Sequence, residues 1–387
     1  MNTAPSITPK WAPAVVPVPG GARARRLLHV CGNVRGGGIV TLVCSLVRLN
    51  EDSDVGSDTR HDVLLIYDDK GELPPLPCEV HRLSYRPGEF WGATRKARRI
   101  LRGYDAVLVH AAHPAVVLAV ALERKPCFLF QHGMTVSSGS PTSRRLRKVW
   151  YSWFPRLLRS RVICSTRYAA LKTERLGIAL PPERVSIVPF GIALDSWPPK
   201  GRAPSGRSEV GVHYIGMAGR LVRQKRQGLV LESLKGYRGE ARICLRVAGE
   251  GEERGALEAL AREVPPDRVR VEFLGAVRDM RAFYEGLDLL VFPSAGESFG
   301  LVVLEALACG TPVAVFPDVG GALVLIDDGR NGLVLPEGSN GLSALWASLD
   351  EDPGLLTRLR QGAADTDLSP YDIATTRATL ESLVATV

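Results

Sequence analysis

Pro293-Ser294-Ala295-Gly296-Glu297-Ser298-Phe299-Gly300-Leu301-Val302-Val303-Leu304-Glu305-Ala306-Leu307-Ala308-Cys309-Gly310-Thr311-Pro312 is preceded by the apolar run Leu289 to Phe292 and leads into another, Pro312 to Phe316. The first run reads as a buried strand that ends in a Gly-bearing turn. A helix is predicted from near Ser298 to Gly310, a favourable C-terminal glycine. Strand, turn, helix and strand in that order form a βαβ unit, which requires a parallel sheet.

The same alternation extends in both directions. Val212 to Ala218, Ile243 to Ala248 and Val271 to Leu274 read as strands of the same sheet. Upstream, Leu27 to Cys31, Val63 to Tyr67, Ala106 to His110, Cys127 to Gln131 and Val162 to Ser165 form a separate set, each followed by a helical period or a Gly turn. Between the sets, Pro198 to Ser208 has turn chemistry and no apolar period, so it reads as a linker. A chain of 387 residues also exceeds the roughly 250 to 300 that one core supports. The expected fold class is α/β, with two Rossmann-like doubly wound domains and ligands in a cleft at their strand ends. The expected division is a tail (1–24), a first domain (25–197), the linker (198–208), a second domain (209–369) and a C-terminal helix (370–387) packing back on the first domain.

Composition narrows the class. The chain is 45% apolar and 23% charged, with its 39 Gly and 27 Pro dispersed, as in globular proteins. The longest apolar run, Ala115 to Leu122, is far short of the roughly 20 residues that span a bilayer. Pro13, Pro17 and Pro19 interrupt the only N-terminal apolar stretch, and Arg23, Arg25 and Arg26 follow it, the reverse of a secretory signal. The seven cysteines are odd in number and mostly sit in apolar patterns, as reduced core thiols do. A cytoplasmic protein is expected. The net charge of +8 favours phosphorylated ligands, nucleic acid or anionic lipid without choosing among them.

The turn and helix of the opening stretch suit a phosphorylated ligand. A helix N-terminus offers free N–H groups and partial positive charge to a diphosphate, and Gly300 removes a side chain where backbone must approach it. Glu297 in the turn and Glu305, about two turns into the predicted helix, flank that position and can accept hydrogen bonds from sugar hydroxyls. Glu305 stands among apolar residues, so it should be buried and partnered. Gly219-Arg220-Leu221-Val222-Arg223-Gln224-Lys225 follows the first strand of the second set. There Arg220 can grip phosphate oxygens bidentately and Lys225 adds a point charge, which lets a diphosphate leave without a metal. Arg223 and Arg226 read as solvated charges. In the first set, Gly36-Gly37-Gly38 lacks the dinucleotide fingerprint spacing and is better used for close backbone approach to ligand. His132, before Gly133, ends a strand at the ligand-binding side. His110 and His113 lack metal-site spacing, and Asp52-Ser53-Asp54 and Asp365-Thr366-Asp367 lie in polar loops as solvated turn acids.

These residues resemble glycosyltransferase family 4, whose members have the GT-B fold and retain anomeric configuration. The similarity rests on Gly219-Arg220 with Lys225, Val247-Ala248-Gly249-Glu250-Gly251, Val271-Glu272-Phe273-Leu274-Gly275, the Glu297 and Glu305 pair, Gly310-Thr311-Pro312-Val313, Gly320-Gly321 and Asn331-Gly332. The resemblance implies that Glu297 contacts the donor sugar, Glu305 the ribose, and Arg220 and Lys225 the diphosphate, with His132 beside the transferred sugar. The expected catalytic set is therefore Glu297, His132, Arg220 and Lys225. The expected donor contacts are Arg220, Lys225, Gly249, Val277, Ser298, Phe299, Gly300, Leu301 and Glu305, with Gly37 and Gly38 from the first domain. The chain departs from the family at Phe190, where Asn is usual, at Ala193 instead of Asp, and at Leu323-Val324 instead of Pro-Glu.

The expected activity is that of a metal-independent hexosyltransferase with no cofactor, using a nucleotide-sugar donor and a glycan or lipid-linked acceptor. The arginine excess hints at a GC-rich bacterial genome, where polysaccharide, lipopolysaccharide and glycolipid assembly are outlets. The basic, acid-free stretch Arg144 to Arg161 reads either as a helix packed on the sheet or as peripheral contact with an anionic membrane at the inner face of the plasma membrane. The rival functions are an inert sugar-nucleotide or glycan-binding protein, a nucleotide-sugar epimerase and a phosphorylase. Nucleic acid is not an expected partner, since basic residues and aromatics interleave only in that stretch.

Overall fold

The computed structural model describes residues 25–33, 38–51, 58–67, 74–132, 153, 158, 160–176, 182–197 and 211–387. The tail, the linker, Gly37, Asp52 to Asp54 and most of Arg144 to Arg161 lie outside the described residues. The chain divides into two compact units: Met1–Ala193 with Pro370–Val387, and Leu194–Ser369.

The first unit holds strands β1 (Arg26–Cys31), β2 (Arg60–Leu65), β3 (Val80–Arg82), β4 (Ala106–Val109), β5 (Cys127–Gln131), β6 (Arg161–Cys164) and β7 (Val185–Ile187). They form one parallel sheet in the order β3-β2-β1-β4-β5-β6-β7. Central strands are buried on both faces, with Leu27, Leu28 and Val30 at 0% exposure, which is why they read as continuous apolar runs. The C-terminal helix Ile373–Ala385 belongs to this unit, with Arg377 buried against Leu46 O and Asn50 at the end of the helix Gly38–Arg48.

The second unit holds β8 (Val212–Ala218), β9 (Arg242–Ala248), β10 (Val269–Gly275), β11 (Leu289–Phe292), β12 (Val313–Val315) and β13 (Gly332–Val334), parallel in the order β10-β9-β8-β11-β12-β13. Its core joins Ile215, Leu245, Leu289 and Ala314 from the strands to Leu231 and Trp346 from the covering helices. In both sheets the strand order reverses beside the first strand, at β1/β4 and at β8/β11, which leaves a gap between diverging loops at the strand C-termini.

Three strands escaped the sequence reading: β3, β7 and β13. Each has three residues and lies at a sheet edge, with too few positions to show a period. The helix after β11 also begins later than expected, at Leu301, because Gly300 takes a left-handed conformation (φ 93°) just before it. Glu305 is therefore its fifth residue, in the second turn. Gly310, at φ 69°, ends it as a C-terminal glycine does.

Candidate functional site

The loops after β8 and β9 touch backbone to backbone. Gly219 N donates to Ala248 O (3.0 Å), Leu221 N to Glu250 O (2.9 Å) and Gly249 N to Gly275 O (2.7 Å). A Cβ on Gly249, which sits at φ 141°, would overlap the Gly219 carbonyl. This contact fixes the segment that carries Arg220 and Lys225. Val277 stands half-buried in the turn after β10.

Lys225 and Glu297 come from the two loops that flank the switch between β8 and β11. Lys225 Nζ donates to Glu297 Oε1 at 2.6 Å, with both side chains 17% exposed. Glu297 itself lies on a short bridge: its N–H donates to Val319 O (2.7 Å), and its carbonyl accepts from Gly321 N (2.7 Å). The ammonium is thus one hydrogen bond from the carboxylate, whose own backbone is held by both of those bonds. Arg220 is exposed, and its guanidinium makes no ion pair among the described residues. Ser298 and Phe299 are buried between the turn and the helix Leu301–Ala308, with Leu301 half-buried at its start. The N-cap of that helix is Gly300, which has no side chain to offer its first N–H groups.

Arg226 corrects an expectation. It is not a solvated charge: it pairs with both carboxylate oxygens of Asp318 (2.7 and 2.8 Å) and donates to Pro293 O (2.7 Å). Asp318 O in turn accepts from Gly296 N (2.8 Å), so Arg226 braces the turn that holds Glu297. The sequence could not show this, because the partner is 92 positions away.

Glu305 is half-buried and accepts from the hydroxyl of fully buried Tyr284 at 2.9 Å. Desolvation pushes its carboxyl up to about 7, against the lowering effect of the Tyr284 bond. A hydroxyl donor from a ligand would favour the ionised form.

In the first unit, His132 follows β5 and is half-buried. Its ring stacks on Phe130 (5.5 Å, 12°) and packs against Phe190 (5.2 Å, 41°), the residue that replaces the family's usual Asn. His132 Nε2 lies 2.7 Å from His110 Nδ1, and His110 continues to His29. His29 was missed in the sequence because its partners depend on strand register. Gly38 opens the helix Gly38–Arg48. His113 caps the helix Pro114–Leu122 by accepting from Ala115 N (3.3 Å). Among the described residues, no group of three or more His, Cys, Asp or Glu converges as metal ligands. Asp365 and Asp367 are exposed; they accept from Gln361 Nε2 and Ser369 N. The described residues contain no helix long and apolar enough to cross a membrane.

The family model described as Glycosyltransferase Family 4 matches residues 37–196, and that described as Glycosyl transferases group 1 matches residues 212–349. Over 200 residues the chain is 32% identical to a D-inositol 3-phosphate glycosyltransferase of Streptomyces bingchenggensis, a match covering 47% of this chain and 44% of that protein. Over 264 residues it is 30% identical to a GDP-mannose-dependent alpha-mannosyltransferase of Mycobacterium tuberculosis, covering 63% and 64%. The matches thus span about half to under two thirds of these curated relatives. Among solved structures, Anabaena Alr3699/HepE in complex with UDP-glucose superposes with a TM-score of 0.73 at 19% identity, covering 94% of this chain and 100% of that one. With two parallel Rossmann-like sheets, a family model on each half and this structural likeness, the chain belongs to glycosyltransferase family 4 and has the GT-B fold.

Proposed function

We propose that this chain is a retaining glycosyltransferase that moves a sugar from a nucleoside diphosphate donor to a glycan or lipid-linked acceptor without a metal ion. The observation that carries the reading is the Lys225–Glu297 pair at 2.6 Å, beside an exposed Arg220 and a helix whose N-cap is glycine. A cation adjoining a carboxylate matches the junction where a sugar meets a diphosphate: Lys225 and Arg220 face phosphate oxygens, and Glu297 accepts from a sugar hydroxyl. Glu305, supported by Tyr284, accepts from a ribose hydroxyl.

In the step itself, the bond from the anomeric carbon to phosphate oxygen breaks as the acceptor hydroxyl oxygen bonds to that carbon from the same face. The hydroxyl proton passes to the departing phosphate oxygen. Arg220, Lys225 and the helix N–H groups stabilise the charge that grows there, which is worth more in the transition state than in the ground state.

The test is sequential. Thermal shift with uridine, guanosine and adenosine diphosphates selects the base; the relatives argue for trying the first two early. Release of that diphosphate from the matching sugar donor should then require acceptor extract, survive EDTA and fall at least about a hundredfold in Glu297→Gln. The anomeric configuration of the product, read by NMR, tests retention. Turnover without acceptor would indicate an epimerase, and binding without turnover an inert module. Contact of Arg144 to Arg161 with anionic membrane is part of the same proposal; flotation with phosphatidylglycerol vesicles should be lost when Arg144, Arg145, Arg147 and Lys148 become Glu.

A further inference from the structure

Four imidazoles and one carboxylate form a continuous file through the first unit. His132 Nε2 meets His110 Nδ1 at 2.7 Å, His110 Nε2 meets His29 Nδ1 at 2.9 Å, and His29 Nε2 meets His61 Nδ1 at 2.8 Å. His61 Nε2 ends the file on Glu381 Oε1 at 3.1 Å. Glu381 also accepts from Arg377 Nε at 2.7 Å, and Arg377 is 1% exposed.

Strand register builds the file. His61 on β2 pairs with Leu27, two residues before His29 on β1. His29 pairs with Leu108, two before His110. Val109 pairs with Leu129, so His132 stands two beyond the residue opposite His110. Each step crosses one strand and climbs two residues, and the period of two keeps every ring on one face of the sheet.

Proton bookkeeping then admits one arrangement. Burial and the neighbouring rings hold His29 and His110 well below the ordinary histidine range; His61 is lowered by burial, and His132 by burial to about 3, so all four rings are neutral. Among the described residues, the charged neighbours of the file are Arg377, Glu381 and Asp62, all at the His61 end. A neutral imidazole has one N–H, and an ionised carboxylate only accepts. Glu381, paired with buried Arg377, therefore requires the His61 proton on Nε2. His61 Nδ1 must then accept from His29 Nε2, His29 Nδ1 from His110 Nε2, and His110 Nδ1 from His132 Nε2. His132 is left with a bare Nδ1, which has no hydrogen-bond partner among the described residues.

We infer that His110, His29, His61 and Glu381 are positioning residues that act through His132, fixing it as the tautomer whose Nδ1 is a hydrogen-bond acceptor for a hydroxyl of the bound sugar. The inference rests on the proposed function and on the place beside the transferred sugar that the family resemblance implies for His132. A carboxylate that holds a catalytic imidazole in one tautomer through a single bond is familiar; here three further rings carry the instruction across the sheet.

The experiment is a long-range proton–nitrogen correlation spectrum of the full chain labelled with 15N-histidine, which distinguishes bare from protonated ring nitrogens. All four rings should carry their proton on Nε2. In Glu381→Gln the terminal amide can donate as well as accept, so His132 should become a mixture of tautomers, and kcat should fall at least about tenfold with donor KM within about twofold. A His132 protonated on Nδ1 in the parent protein overturns the inference without any variant having to fold. So does a Glu381→Gln protein whose His132 tautomer or kcat is unchanged. His132→Ala separates the two levels: if it retains full kcat, the placement of His132 at the sugar fails, whatever the spectrum shows.

Discussion

The two units keep their polar chemistry in opposite electrical states. In the second, Lys225, Glu297 and Arg220 are charged and within reach of solvent. In the first, four rings are buried or half-buried and neutral, and the charge lies far along the file at Arg377 and Glu381. On the proposed function, the contrast follows from what each unit would recognise. A diphosphate is an anion, so its receptor must be ionised beforehand and can exchange an internal carboxylate for the ligand. A sugar hydroxyl is neutral, and what it needs is a single lone pair of fixed direction, which charge would only blur.

The largest effect that would break this contrast is on turnover. Lys225→Ala should lower kcat/KM for the nucleotide sugar by about 10² to 10³, with loss of charge stabilisation at the leaving group. A smaller loss than in His132→Ala would invert the ranking of the two units. Steady-state rates on both variants measure it.

Much of the fold was legible in the sequence because alternating strand and helix periods require parallel sheets, and the loop residues follow the strands that position them. The loop positions of Glu297, Lys225 and Arg220 could be read that way, since each follows a strand end. The file behind His132 could not. Whether His29 meets His61 and His110 depends on register between strands that are tens of residues apart, and a one-residue slip would send the rings to the other face. Arg226 failed for the same reason: its role belongs to Asp318 across the switch. The late start of the helix at Leu301 was hidden by a glycine whose left-handed backbone looks no different in sequence from any other.

Stability sharpens the comparison next. Gly249→Ala forces a Cβ onto the Gly219 carbonyl at φ 141° and should cost roughly 2 to 4 kcal/mol. Gly88→Ala in the first unit, at φ 92° with open space around it, should cost only about 1 kcal/mol. Denaturant melts of the two variants compare them; equal losses would mean that the loop contact under Arg220 is not rigid.

The smallest effect concerns pH. The Glu305 carboxyl is raised from 4.5 to about 7, so its contribution favours the unliganded fold at low pH and is lost as pH rises through about 7. On the proposed role of Glu305, ligand binding runs the other way, because a ribose hydroxyl would select the carboxylate. Nucleoside diphosphate affinity should therefore weaken by up to about tenfold between pH 8 and pH 6, a dependence reduced in Glu305→Gln to that of the ligand's own phosphate. Tyr284→Phe removes the bond that opposes the upward shift and should move the midpoint higher. Calorimetric titration across pH reads both.

Arg220 gives the most direct test, because it makes no ion pair among the described residues and its removal should leave the fold alone. Calorimetric titration of Arg220→Ala with the nucleoside diphosphate that stabilises the parent protein should show Kd raised about ten- to a hundredfold, with an unchanged melting temperature in the absence of ligand. An unaltered Kd would contradict the claim that protein cations at the β8 loop hold the diphosphate.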